Sequence, residues 1–267
     1  MASGCDVLIL GGRGLVGSAF TRFCSRAGLS STVVGRADYA ALAGRSCDIL
    51  VNANGNSSKP LATRAPLVEF DASVRSVRSS LADFRFRKYV HISSCDVYPD
   101  CSSPALTGEE QRPDPAHQSP YGFHKHLAEQ CVMHGAADWL IFRCGGFVGP
   151  GLRKNAIFDI VHGGPLFLDP QSELQFLHTD RAAEIVFRIV EMGFSREVFN
   201  LCGRGVVRLA DAAALAPRPI PVQPGSPRVR YEVSIGKISG LLEIPETRAA
   251  VLDYVRSELA RGGDAAL

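Results

Sequence analysis

Two rhythms of apolar residues alternate through the first half of the chain. Val7–Leu10, Thr32–Val34, Ile49–Val51, Tyr89–Ile92 and Trp139–Phe142 are short apolar or β-branched runs, the length and composition of buried strands. Between the first two runs, Leu15, Val16, Ala19, Phe20, Phe23 and Ala27 recur at helical spacing. Phe70, Val74, Val77, Leu81 and Phe84 step by four and three, which makes one apolar stripe on a long helix. Pro120 opens a further helix that runs to about His134, with Gly135 as its stop. Strands alternating with helices predict right-handed βαβ units and a parallel sheet covered on both faces. Such a sheet presents its ligand site at the carboxyl ends of its strands.

After Gly149 the pattern loosens. Gly, Pro and polar residues fill positions 149–172, and no element is assigned there. A strand-like Leu174–Leu177 follows, then a helix over Asp180–Met192 and a strand at Val198–Leu201. Five prolines between Pro217 and Pro227 predict a loop, and a final helix is expected over Pro245–Ala260. The expected fold is α/β. A Rossmann-like, doubly wound parallel sheet spans residues 1–150, with 178–202 packing back onto it. A small C-terminal substrate lobe is built from 151–177 and 203–267.

Composition narrows the function classes. The 267 residues can bury one large core, or one core and a small lobe. Hydrophobic residues at 46% and charged residues at 21% argue against disorder. A dispersed net charge of +2 excludes a nucleic-acid surface. The basic cluster Arg85, Arg87 and Lys88 reads as a solvated turn. No apolar stretch reaches the roughly 20 residues of a bilayer span, and no basic segment precedes an apolar core at the N-terminus. The eight cysteines form no C-x-x-C pair, which fits reduced thiols and a cytoplasmic location. His124 and His126 point apart on a helix, and no metal site is expected.

Four motifs carry candidate chemistry. Gly11, Gly14 and Gly17 form G-x-x-G-x-x-G between a strand and a helix. A tight turn and a pyrophosphate approaching backbone N–H groups both require residues without Cβ, so Gly11, Arg13, Gly14, Leu15, Val16 and Gly17 are expected to hold a dinucleotide. The second strand ends Val34-Gly35-Arg36 with no acid at its tip, although Asp38 is near. Arg36 and Arg13 suit a 2′-phosphate, so NADP is expected over NAD, with NAD still open. Asn54, after the third strand, joins the expected cofactor contacts. Tyr121 and Lys125 form Y-x-x-x-K, which puts both on one helical face. A nearby cation is expected to lower the tyrosine pKa and make it a usable acid or base. Ser94, in Ser93-Ser94-Cys95-Asp96-Val97-Tyr98 at the end of the fourth strand, can donate to a substrate oxygen. Asp96 is either a second acid or base, or a loop acid bonding local backbone N–H groups.

Together these residues resemble the extended short-chain dehydrogenase/reductase family of NAD-dependent epimerase/dehydratase type. The glycine turn matches at Gly11, Gly14 and Gly17. The S-x-x-V-Y strand end matches at Ser94, Val97 and Tyr98, and Y-x-x-x-K at Tyr121 and Lys125. Arg143–Gly149 and Phe176–Asp180 resemble two later family segments. Locally, Gly11–Ala19 and Ser93–Cys95 are similar to GDP-fucose synthase-like keto-sugar nucleotide reductases. The resemblance implies an NADP-dependent oxidoreductase acting on a nucleotide sugar, with Tyr121 as acid or base. Lys125 would hold the cofactor ribose, and Ser94 would donate to the reacting oxygen. It leaves open an epimerase or dehydratase that recycles its cofactor. A non-catalytic dinucleotide-binding regulatory protein is the alternative from another class. A homodimer through paired long helices is a family expectation.

Overall fold

The computed structural model describes residues 5–56 and 58–264. Its central sheet has six parallel strands: β1 (Asp6–Leu10), β2 (Ser30–Val34), β3 (Ser46–Asn52), β4 (Arg85–Ser94), β5 (Trp139–Cys144) and β6 (Glu197–Leu201). The spatial order is β2-β1-β3-β4-β5-β6. The connections reverse direction between β1 and β3, and that switch point opens a crevice at the carboxyl edge of the sheet.

Both faces of the sheet are covered, which is why its strands are apolar throughout. Val7 and Ile9 of β1 face one core, shared with Ala19 and Phe20 of α1 (Leu15–Arg26). Leu8 and Leu10 face the other core, with Ala128 and Val132 of α2 (Pro120–Gly135). Alternate residues of a strand point to opposite faces, so one apolar run feeds two cores. Phe20 meets Phe187 of α3 (Thr179–Glu191) edge-on at 5.9 Å. Each such buried ring contributes about 1.5–3 kcal/mol.

A third core lies outside the sheet. Val148, Leu152, Ile157 and Ile160 pack there against Val251 and Val255 of α4 (Thr247–Asp264). The segment 149–172, where the sequence pattern assigned no element, contains a helix at Ala156–His162. Asn155 starts it, its side chain accepting from the N–H groups of Ile157 and Phe158 at 3.0 and 2.9 Å.

Three further expectations are corrected. The basic cluster is part of β4 and not a turn: the β3–β4 register brings Arg87 to Asp48 at 3.3 Å, and Lys88 reaches Asp138 at 2.5 Å. The strand expected at Leu174–Leu177 is split at Gln175. Glu173–Leu174 joins a small sheet with Val207–Arg208 and Arg230–Tyr231, whereas Phe176–His178 pairs with Gly146–Val148. Gln175 serves as the joint, donating to Gly203 O at 2.7 Å and accepting from Val233 N at 2.9 Å. The stripe from Phe70 to Phe84 starts earlier, at Pro66, and passes through a π-turn at Asp71–Arg75 before ending at Asp83. No helix among the described residues is long and apolar enough to cross a membrane.

Candidate active site

The crevice begins at the glycine turn. Gly11 has φ +74°, and Gly14 donates to its carbonyl at 2.9 Å. Gly14 is also the N-cap of α1, and no side chain caps that end. A Cβ on Gly17 would lie 2.1 Å from the Gly11 oxygen, so the helix packs directly on the turn. Uncapped N–H groups at a helix start, reached over bare backbone, suit an anionic pyrophosphate. Leu15 and Val16, half-buried, anchor this first turn to the third core and to the sheet core respectively. Asn54 lies across the crevice. Its Cα is 3.0 Å from where a Gly11 Cβ would stand, and its N–H donates to Asn52 Oδ1 at 3.0 Å.

At the tip of β2 the predicted residues separate. Arg13, 73% exposed, pairs with Asp38 at 3.1 Å, and Asp38 Oδ2 also accepts from Gly35 N at 3.4 Å. Arg36 is exposed and lies outside that pair. The crevice therefore offers a cation and a carboxylate side by side where the sequence suggested two cations.

Ser94, Asp96, Tyr121 and Lys125 converge at the carboxyl end of β4. Gly122 makes this possible: a Cβ there would stand 1.9 Å from the Asp96 carbonyl oxygen, so the start of α2 touches the turn at Cys95–Val97. Ser119 caps α2, accepting from Gly122 N at 3.1 Å. Tyr121 is buried and donates to the Asn56 carbonyl at 3.2 Å. Lys125 Nζ lies 5.6 Å from the Tyr121 ring centroid and 2.9 Å from where a Gly55 Cβ would stand. Residues that can hold a nicotinamide dinucleotide, from the turn to the Tyr121–Lys125 face, thus line one crevice.

The electrostatics differ from the expectation for Tyr121. Burial, then the Asp96 and Glu69 carboxylates, push its pKa up, and the nearby Ser94 hydroxyl opposes them only in part. The hydroxyl is held as phenol, the form that gives a proton. Burial lowers the Lys125 pKa, and Glu69 is the foremost opposing influence.

Among the described residues, no backbone N–H donates to the Asp96 carboxylate. It accepts from Ser94 Oγ at 2.9 Å and pairs with Lys59 at 2.6 Å. The Asp96 N–H donates to Ser94 Oγ at 3.2 Å. Sequence reading missed Lys59, because a single exposed lysine before Pro60 carries no local signal. It also missed a buried network behind the site. Arg143 binds Glu129 at 2.8 Å and Tyr98 OH at 2.9 Å, Ser93 donates to Glu129 at 2.6 Å, and Tyr98 donates to Asn200 at 3.0 Å. Glu129 continues the series Tyr121, Lys125 at the next helical step, and that periodicity was the available clue.

Four cysteines pack behind the Ser94 turn. Cys95 and Cys202 bring their Sγ atoms to 3.7 Å, and Cys101 and Cys144 are buried beside them. Burial raises the thiols of Cys95 and Cys144, and pushes Cys101 up to about 12. Among the described residues no group of His, Cys, Asp or Glu could hold a metal ion. A cavity of about 580 Å³ between His178, Arg181, Glu246 and Asp253 shares no residue with the crevice.

Fold and site define a dinucleotide-binding α/β protein with a Ser-Tyr-Lys centre. The family model of the NAD dependent epimerase/dehydratase family matches residues 7–202, and the chain belongs to that family. No curated protein matches it. Among solved structures, a UDP-galactose 4-epimerase is similar at 21% identity and TM-score 0.79, covering 96% of this chain and 99% of that one. MoeE5 in complex with UDP-glucuronic acid and NAD is 17% identical with TM-score 0.80, covering 97% and 99%. RMD from Pseudomonas aeruginosa, complexed with NADPH, is 19% identical with TM-score 0.78, covering 96% and 98%. At these identities the likeness is one of fold.

Proposed function

We propose that this chain is an NADP-dependent oxidoreductase that reduces a keto group of a nucleotide-linked sugar. The observation that carries the reading is the convergence of Ser94, Tyr121 and Lys125 beside the glycine turn. When bound, the nicotinamide supplies the reducing equivalent at its C4. Gly11, Gly14, Gly17 and the first N–H groups of α1 hold the pyrophosphate, with Leu15 and Val16 fixing that turn and Asn54 closing over it. Arg13 and Arg36 take the 2′-phosphate, which requires Arg13 to leave Asp38. Lys125 holds the nicotinamide ribose. Ser94 turns from Asp96 to donate to the reacting oxygen, where charge develops. Tyr121, kept protonated by its buried setting, gives that oxygen its proton.

The second reading is an epimerase or dehydratase that recycles its cofactor. Asp96, close enough to Tyr121 to raise its pKa, is the residue that would serve it as a second acid or base. A regulatory dinucleotide binder would have no use for a buried Ser-Tyr-Lys set. The lobe of 151–177 and 203–267 would bind the sugar nucleotide. Leu67 and Val68, 79% and 59% exposed, and Phe123 would form a homodimer face. Free thiols at all eight cysteines fit the cytoplasm. The test is NADPH consumption with a panel of nucleotide-linked keto sugars. Stoichiometric oxidation, reduced by about 10²- to 10⁴-fold in Tyr121→Phe, supports the proposal. Turnover without net oxidation selects the second reading. Near wild-type turnover in Tyr121→Phe refutes the role of Tyr121.

A further inference from the structure

Glu69 breaks the pattern of its helix. Its neighbours Leu67 and Val68 are apolar and exposed, whereas Glu69 is fully buried. A carboxylate removed from water costs several kcal/mol unless it is bonded and paired. Both of its oxygens are engaged. Ser73 Oγ donates to Oε1, and His124 Nδ1 contacts Oε2. Ser73 stands in the π-turn at Asp71–Arg75. An extra residue in a helical turn re-aims the side chains around it, and such turns gather at functional sites. Here the turn points Ser73 and Glu69 together at α2. His124 is further fixed by Phe70, edge-on at 5.5 Å.

These clamps explain how Glu69 is held, and the next residue along α2 shows what it faces. Lys125 follows His124 directly and is 6% exposed. Its Nζ and Ser73 Oγ converge beneath Gly55, at 2.9 and 4.0 Å from the place of a Gly55 Cβ. An ammonium so deeply buried needs an opposite charge nearby to stay protonated. Lys125 is faced by Glu69, Asp96, Glu129 and Cys144, and His91 lies within its field from β4. Two of those carboxylates are already committed: Asp96 to Lys59 at 2.6 Å, and Glu129 to Arg143 at 2.8 Å. Among the described residues, Glu69 pairs with no lysine or arginine in this way.

We propose that Glu69, clamped by Ser73 and His124, is a positioning residue whose buried carboxylate keeps the Lys125 ammonium charged. The proposal rests on the reading of Lys125 as the ribose-holding residue only for its catalytic meaning; the coupling itself can be tested without cofactor. The full-length protein, labelled with ¹³C at lysine Cε, is titrated by NMR, and Lys125 is assigned by the signal lost in Lys125→Met. Glu69→Gln lowers the Lys125 midpoint by at least about one pH unit, the size expected for removing a nearby opposite charge. Glu69→Asp, which keeps the charge, recovers part of that shift. Ser73→Ala, which only loosens the clamp, lowers the midpoint less. An unmoved midpoint in Glu69→Gln overturns the proposal. If that variant does not fold, an unmoved midpoint in Ser73→Ala overturns it equally.

NADPH binding followed over the same pH range separates the two claims. If Lys125 holds the cofactor, Lys125→Met weakens NADPH at every pH. Glu69→Gln then binds as wild type well below its lowered midpoint, but loses roughly tenfold once the pH passes that midpoint. NADPH binding unaffected by Lys125→Met removes the ribose role, while the NMR titration still decides the coupling.

Discussion

Replacing Gly17 by alanine perturbs the cofactor site at a single, calculable point. The new Cβ would stand 2.1 Å from the Gly11 carbonyl oxygen, 2.6 Å from its carbon and 2.8 Å from Gly12 Cα. Real Cβ atoms essentially never approach within 3.0 Å. All three neighbours are backbone, so no side-chain rotation relieves the clash. The turn and the helix must part by about 1 Å, which takes a good N–H···O bond beyond its useful range. A charge-assisted hydrogen bond contributes about 1.5–3 kcal/mol. Losing two such bonds to the pyrophosphate costs about 3–6 kcal/mol, so NADPH binds on the order of 10²- to 10⁴-fold more weakly. Overpacking itself costs about 1–3 kcal/mol of stability. Calorimetric titration with NADPH measures the first effect, and urea unfolding without cofactor measures the second. An NADPH affinity within roughly threefold of wild type, in a folded variant, would refute the reading of this turn as the pyrophosphate site.

Three further outcomes are expected. Arg36→Ala lowers the ratio of NADPH to NADH affinity by about 10- to 100-fold, the worth of one charged hydrogen bond; an unchanged ratio excludes Arg36 from cofactor choice. Arg143→Met leaves Glu129 buried without its partner and destabilises the fold by about 3–5 kcal/mol in urea; a loss under about 1 kcal/mol would show that the network is solvated. His91 is buried, neither ring nitrogen has a hydrogen-bond partner among the described residues, and burial pushes its pKa down to about 3. Unfolded histidine binds its proton near 6.5, so this site leaves stability intact above that pH. It erodes stability by up to about 1.4 kcal/mol per unit as pH falls from about 6.5 toward 3. His91→Leu flattens that part of the stability profile, and a profile as steep as wild type would contradict it.

How much could be read in advance depended on whether the cause was local. The strands and the glycine turn were legible because apolar runs and Cβ-free positions are written in consecutive residues. Tyr121 and Lys125 were legible because four residues make one helical turn. Lys59 was not, because it meets Asp96 only after β3 and β4 pair. Arg36 was chosen over Asp38 by its place in sequence, yet the fold of the short turn after β2 presents Asp38 to Arg13. The tyrosine pKa was misjudged because a motif shows the cation and hides the desolvation. Gln175 splits a strand for a reason held by Gly203 and Val233, both remote in sequence. The helix at Ala156–His162 was missed because its apolar face is completed by α4, about a hundred residues on.

The four thiols behind Ser94 have a practical consequence. Only thiolate reacts readily with alkylating reagents, and Cys95, Cys101 and Cys144 are both enclosed and held protonated. Reagent reaches them only when the wall behind the Ser94 turn opens. Their alkylation rate is therefore a clock for local breathing at the active site, read by mass spectrometry without any knowledge of the substrate. A ligand that slows that clock at these three positions, and leaves half-exposed Cys5 and Cys131 reacting as before, identifies itself as a molecule that fastens the Ser94 end of the crevice.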